Sequence, residues 1–262
     1  MDAGGAGVAP RGRGAGNLGL TFLGRFLEIG IQTADIRASV EFYERLGFTQ
    51  AQTGDTWTHP YGVLTDGRVY IGLHQGRLDS PALTFVHAGV AGHATALERL
   101  GVELTTANID SEVFNELAFR DPAGNPVRML EARTYSPADR RPDDPSLCGR
   151  FHCISLPAAD AAGVSGFWQT LGLLAAAEEE QPYPHLSLGN GDFHIALHGP
   201  RFFAEPLLVF RDREMAARIA RLRELGAGPF EPPPRGLGTH ANALLRAPEG
   251  TVLLLQDTGN LP

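Results

Sequence analysis

The chain has 262 residues, 43% of them hydrophobic, enough to furnish the core of one large domain or two of ordinary size. A net charge of −8, from 22 basic and 30 acidic side chains, argues against nucleic acid as a partner, and no apolar run reaches the roughly 18 residues of a membrane span. Two cysteines, Cys148 and Cys153, are too few for a disulfide scaffold or a four-thiolate zinc site, so the compartment reads as cytoplasmic with both thiols reduced.

The first stretch, MDAGGAGVAPRGRGAGNLG, is rich in Gly, Ala and Arg and lacks an apolar segment. Residues 1–22 therefore read as a disordered tail and not a secretory signal. Next, Leu27, Ile29 and Ile31 alternate with Glu28, Gly30 and Gln32, the pattern of a strand with two unlike faces. Asp35 caps a helix through RASVEFYERL, with Val40, Tyr43 and Leu46 on one side and Gly47 as its left-handed terminus. Short strands follow around FTQAQT, WTHPYGVLT and RVYIGLH, the last two joined by a turn at Asp66-Gly67. PALTFVHA starts the pattern again, with VAGHATALERLG as its helix.

Leu-Gly pairs fall at 46–47, 100–101, 171–172 and 225–226, separated by 54, 71 and 54 residues. They mark the end of one helix in each of four strand-helix-strand-strand-strand modules. At an offset near 125, FLEIGIQTADIRASVEFYERLGF faces FHCISLPAADAAGVSGFWQTLGL with six of 23 positions identical. GRVYIGLH likewise faces GDFHIALH, and DPAGNPVRMLEA faces APEGTVLLLQDT. The chain is an internal duplication. Between the halves, ARTYSPADRRPDDPSLCGR carries three prolines and many charges and reads as an extended linker. The expected domains are 23–132 and 150–262, with 133–149 between them.

The helix motif Asp35, Ser39, Phe42, Tyr43, Leu46, Gly47, Phe48 and the hairpin motif Phe119, Asp121, Pro122, Gly124, Asn125 resemble those of the vicinal oxygen chelate superfamily. That superfamily includes glyoxalase I, bleomycin- and fosfomycin-resistance proteins and extradiol dioxygenases. The resemblance covers nearly everything outside the tail and linker. It implies an α+β fold of four βαβββ modules, paired into two domains with cup-shaped mixed sheets and helices outside, the halves forming an intramolecular pseudo-dimer. One fold hosts several activities, so it says less about function.

In the metal-dependent members, four strand positions point His, Gln or Glu into the cup, where an open coordination position polarises substrate oxygens or binds dioxygen. By the resemblance these positions fall at Glu28, Gly72, Ala82 and Arg128 in the first half, and at Cys153, Ala196, Leu207 and Leu254 in the second. Gly, Ala and Leu offer no donor atom and Arg repels a cation. The expectation is therefore no metal and no cofactor, with iron, manganese, nickel or zinc as the alternative.

The remaining polar positions suggest a binding surface. Tyr70 and His74 in the first half, and His194 and His198 in the second, should share the cup-facing side of their strands with Gly72 and Ala196. Glu28 is a carboxylate on an inward-facing strand, readable as a salt bridge with Arg128 or as a recognition group. His152 lies one residue off the ligand register, and a β-bulge would turn it inward. Tyr43 and Trp168 read as core, and EEEQPYP at 178–184 as a solvated strand end and turn. RDREMAARIARLRELG reads as an amphipathic outer helix, and no phosphate-binding glycine loop follows a strand.

The expected function is thus the binding of a small organic molecule by Glu28, Gln32, Tyr70, His74 and Arg128 in one cup, or by Cys153, His194 and His198 in the other. The alternative is a metal-dependent lyase, isomerase or ring-cleaving dioxygenase of the same superfamily. No nucleic-acid or membrane partner is expected, and the chain should act as a monomer or a homodimer.

Overall fold

The computed structural model describes residues 22–53, 57–110, 115–131, 145–191, 193–233, 237 and 241–259. The expected N-terminal tail, apart from residue 22, and most of the expected linker lie outside the described residues.

The first module runs β1 (Arg25–Gln32), α1 (Ile36–Arg45), β2 (Thr49–Ala51), β3 (Tyr61–Thr65), β4 (Tyr70–His74). The second runs β5 (Ala82–His87), a 3-10 turn leading into α2 (Ala94–Arg99), β6 (Leu104–Asn108), β7 (Glu116–Arg120), β8 (Pro126–Glu131). The second half repeats the order with β9 (Arg150–Pro157), α3 (Ala161–Thr170), β10 (Leu174–Glu179), β11 (His185–Gly189) and β12 (His194–His198). It closes with β13 (Leu207–Asp212), α4 (Met215–Glu224), β14 (Phe230–Glu231), β15 (Ala243–Arg246) and β16 (Val252–Asp257).

Local chemistry fixes the helix ends. Asp35 Oδ1 accepts the N–H of Ala38 and Asp160 Oδ1 that of Gly163, satisfying donors that the first helical turn leaves free. Each Leu-Gly pair ends its helix with the glycine left-handed: Gly47, Gly101, Gly172 and Gly226 have φ of +86°, +76°, +96° and +65°. The turn after β3 spans four residues, 66–69, because Thr65 pairs with Tyr70. Asp66 Oδ1 accepts the N–H groups of Arg68 and Val69, so the expected two-residue turn is widened by an acid that organises its own loop.

Each half forms one eight-stranded mixed sheet, ordered β2-β3-β4-β1-β5-β8-β7-β6 and β10-β11-β12-β9-β13-β16-β15-β14. The two module-opening strands run antiparallel at the centre, each flanked by the parallel closing strand of its own module. The first sheet is drawn wholly from 25–131 and the second from 150–257.

One hydrophobic cluster covers the helix side of both sheets and runs between the halves, from Leu23 and Ile29 to Leu253 and Leu255. Burying each such side chain stabilises the fold by about 1.5–3 kcal/mol. Phe26 of β1 stacks on Phe193 just before β12, with ring centres 3.9 Å apart, so the halves share this core. Tyr43 and Trp168 are fully buried in it, as expected, and also reach across the pseudo-twofold. Tyr43 donates to Glu249 in the hairpin of the second half at 2.8 Å, and Trp168 Nε1–H donates to Asp121 in that of the first at 3.2 Å. Ser39 Oγ donates to the other oxygen of Glu249 at 2.8 Å. Among the described residues, no helix is long and apolar enough to cross a membrane.

Candidate functional site in the first-half cup

A register shift between Phe26 and Glu28 makes Leu27 a bulge and sets Glu28 opposite Thr84 of β5, which in turn lies opposite Arg128 of β8. Residues directly opposite on neighbouring strands share a face. Glu28, Thr84 and Arg128 therefore line one row of the cup, while Leu83 and Phe85 enter the helix-side core. Register sets Thr84 opposite Glu28 and Val209 opposite Cys153, while Ala82 and Leu207, near which the third superfamily position was expected, lie opposite Gly30 and Ser155. The bulge moves the register in a way that residue counting does not register.

Glu28 is buried, 1% exposed, and holds a hydrogen-bonded chain. Tyr61 O–H donates to its Oε2 at 2.5 Å, and His74 Nε2 lies 3.3 Å from its Oε1. A carboxylate only accepts, so the His74 proton sits on Nε2; its Nδ1 then accepts from His59 Nε2–H at 3.0 Å. Burial, then the neighbouring His74 and Arg128, hold His59 below the usual histidine range. Burial, and then Glu28, push the Tyr61 phenol well above its ordinary value. Two glycines make room: a Cβ on Gly72 would collide with the Glu28 carboxyl, and one on Gly76 would fall 2.8 Å from the His59 ring.

Arg128 does not pair with Glu28. Its Nε and Nη2 donate to Glu116 Oε1 at 2.8 and 2.5 Å, and its guanidinium lies 4.8 Å from the Trp57 ring centre. The acid on β7, two residues along the same face from Ala118, which pairs with Arg128, takes the cation first. Trp57 also stands edge-on to His74 at 5.1 Å, completing an aromatic group with His59 and Tyr61. Thr84 is fully buried, and among the described residues its hydroxyl has no hydrogen-bond partner.

Glu28, His74 and Arg128 thus come together in the first half. Tyr70 and Gln32 lie on the same face toward the strand ends, half-buried and exposed respectively. Gln32 is engaged with the 78–80 segment, its N–H donating to Ser80 and its side chain accepting from Leu78. Trp57, His59, Tyr61, Thr84 and Glu116 are additions. The alternation Trp57-His59-Tyr61 entering a strand was the available signal for the first three.

The second cup is closed by hydrocarbon. Cys153, Tyr183, Ala196, Phe203, Val209 and Leu254 belong to one buried cluster. Burial pushes the Cys153 thiol up to about 12, which leaves it inert as a nucleophile. Register aligns Tyr61 with His185, and the preceding His59 with Tyr183, so the two residue types have changed places between the halves. His198 is fully buried and satisfied by Ser155 Oγ at 2.8 Å and the Phe203 carbonyl at 3.0 Å. His194 is exposed, not interior, because it begins its strand at the sheet's outer end. His152 is the bulge residue between Phe151 and Cys153, and burial, Arg211, His194 and His185 push it down to about 4. The last strand does carry one buried polar group: Gln256 accepts from Arg211 Nε at 2.9 Å. The expected strand end and turn at 178–184 hides Tyr183, which is buried in this cup.

A half-open cavity of about 600 Å³ lies outside both cups, between the 122–123 hairpin and the start of α3. Its lining of Pro122, Ala123, Val164 and Pro200 is apolar, and its one acid, Asp160, is engaged as the helix cap.

The superfamily resemblance implies a divalent metal held by four strand positions. Among the described residues, no three His, Cys, Asp or Glu side chains converge to hold an ion. Glu28, Gly72, Ala82 with the neighbouring Thr84, and Arg128 offer one carboxylate, no side chain, a methyl with a hydroxyl, and a guanidinium in the first half. In the second the corresponding positions offer a thiol with its proton held and three hydrocarbons. Neither set fits a divalent metal site.

No protein-family model and no curated protein sequence matches the chain. Solved structures do. A variant of homoprotocatechuate 2,3-dioxygenase from Brevibacterium fuscum, in complex with HPCA, superposes with a TM-score of 0.58 at 16% identity, over 90% of this chain and 73% of that one. Catechol 2,3-dioxygenase gives 0.57 at 16% identity, over 88% and 86%. The anaerobic complex of the Brevibacterium enzyme with 3,4-dihydroxyphenylacetate gives 0.57 at 15% identity, over 90% and 82%. These names stand with the dioxygenase expectation and lend nothing to that of a binding protein. With its two eight-stranded mixed sheets and four repeated modules, the chain has the tandem two-domain fold of the vicinal oxygen chelate superfamily, the fold of the catechol dioxygenases.

Proposed function

We propose that the first-half cup is the working site and that it binds a small organic molecule without the superfamily's metal. The observation that carries this reading is the buried, unpartnered Thr84 hydroxyl between Glu28 and Arg128. Leaving a buried hydroxyl unpaired costs about 1–3 kcal/mol, a cost that a ligand's polar group would remove. The surrounding rings of Trp57, His59, Tyr61 and His74 favour a flat, apolar body on that ligand. The second cup, filled by its own side chains, is the structural partner. The chain acts in the cytoplasm as an internal pseudo-dimer.

Thermal shift with a panel of small aromatic compounds tests this reading. A compound that binds N and not U raises Tm with concentration. The shift should shrink in both Thr84→Val and Glu28→Gln if the first cup is the site. Shifts unchanged in both substitutions refute it.

A ring-cleaving dioxygenase is the second reading, favoured by the names of the structural neighbours. Oxygen uptake with catechol after incubation with ferrous or manganous ion would establish it, provided Glu28→Gln abolishes the uptake.

What the residues themselves do is bind and orient. Tyr61 and His74 fix the Glu28 carboxylate, His59 fixes the His74 tautomer, and Glu116 with Trp57 fixes the Arg128 plane. The chain His59–His74–Glu28 also joins a half-buried imidazole to the cup floor, a route by which a proton can enter or leave.

A further inference from the structure

The geometry points to a protonated amine as the polar group of the ligand in the first-half cup, an inference that rests on that cup being the binding site. The argument is one of charge balance. Among the fixed charges of this face in the described residues, Arg128 is matched by Glu116 through two donors to one oxygen, and Arg120, at the strand's end, by Asp79. Glu28 is bonded by the Tyr61 phenol and the His74 imidazole, and among the described residues no Arg or Lys side chain pairs with it. His59, which faces His74 and Arg128, is held toward its neutral form. A buried carboxylate without a guanidinium or ammonium partner favours the arrival of a cation and opposes that of an anion.

Two further features select an ammonium over a bare metal ion. Thr84 supplies a single buried hydroxyl oxygen beside Glu28, an acceptor suited to an N–H donor and too little to complete a coordination shell. Tyr61 and His74 touch the carboxylate, with ring centres 4.6 Å apart, and Trp57 and His59 pack on His74, with ring centres 5.1 and 5.3 Å from it. Aromatic faces beside a carboxylate attract organic cations. The ligand class is therefore an aromatic or otherwise flat amine, its ammonium donating to Glu28 and Thr84.

Three probes of one shape and different charge test this on the full chain: benzylamine, benzyl alcohol and benzoate, titrated by ligand-observed NMR near neutral pH. Benzylamine should bind at least about tenfold more tightly than the alcohol, and benzoate more weakly than either. Glu28→Gln should abolish the order. Thr84→Val, which keeps shape and charge, should weaken benzylamine severalfold while benzoate stays the poorest ligand. Benzoate binding as well as or better than benzylamine, or an order unchanged in Glu28→Gln, overturns the amine assignment and leaves the cup as a site. Absence of binding by all three overturns the cup reading and this inference with it.

Discussion

Replacing Gly72 by Ala probes whether the Glu28 network is as tightly built as its distances imply. Gly72 lies in β4 with an ordinary strand backbone, so alanine is conformationally allowed and by itself would stabilise by about 0.4–1 kcal/mol through the unfolded chain. The new Cβ would occupy the space of the Glu28 carboxyl, the mobile end of its side chain, which must then turn away. Turning away breaks its bonds from Tyr61 and His74 inside a buried site. Hydrogen bonds to a charged group contribute about 1.5–3 kcal/mol each, so the net loss should be roughly 2–5 kcal/mol. Gly62→Ala is the matched control: it lies in the adjacent β3, also lacks a positive φ, and its Cβ would approach only Ile36 at 3.7 Å. Urea denaturation of both variants reads the difference from the midpoints at equal slope. Gly72→Ala unfolding at the same urea concentration as Gly62→Ala, or higher, would refute the reasoning.

Three other outcomes follow from side chains away from this network. Tyr43→Phe removes one of the two bonds that bind Glu249 across the halves and should cost about 1.5–3 kcal/mol; Glu249→Gln should cost less, and the pair should be non-additive in a double-mutant denaturation cycle. Burial pushes His198 from 6.5 down to about 4, so the unfolded chain binds the extra proton and stability falls as pH drops from 6.5 toward 4. The loss should reach about 3 kcal/mol from this residue, and His198→Asn should flatten the pH dependence of urea stability in that window. Cys148 and Cys153 are both buried with thiols pushed up to about 12, so a thiol reagent at pH 8 should label neither in the folded protein and both after denaturation.

The parts legible in the sequence were those set by local periodicity. Leu-Gly at four helix ends, Asp35 and Asp160 as caps, and the alternation of Leu27 to Gln32 each depend on a few neighbouring residues, and each locates its element. What depended on registry across strands was harder to place. The bulges at Leu27 and His152 shift the pairing of β1 with β5 and of β9 with β13, which sets Thr84 opposite Glu28 and Val209 opposite Cys153. Arg128 found Glu116 on the neighbouring strand because a diagonal neighbour is nearer than a residue two strands away. Trp57, His59 and Tyr61 were hidden inside a segment read as one strand, although only its second part, from Tyr61, is β-structure. The donor poverty of the cup positions was legible from residue types alone.

Metal content decides the central claim, that this cup recognises its ligand with side chains in place of a metal. The full chain, purified without chelators and dialysed against iron, manganese, nickel and zinc in turn, should retain far less than one equivalent of each by elemental analysis, with Glu28→Gln behaving identically. One tightly held equivalent in the native protein, absent from Glu28→Gln, would contradict the account.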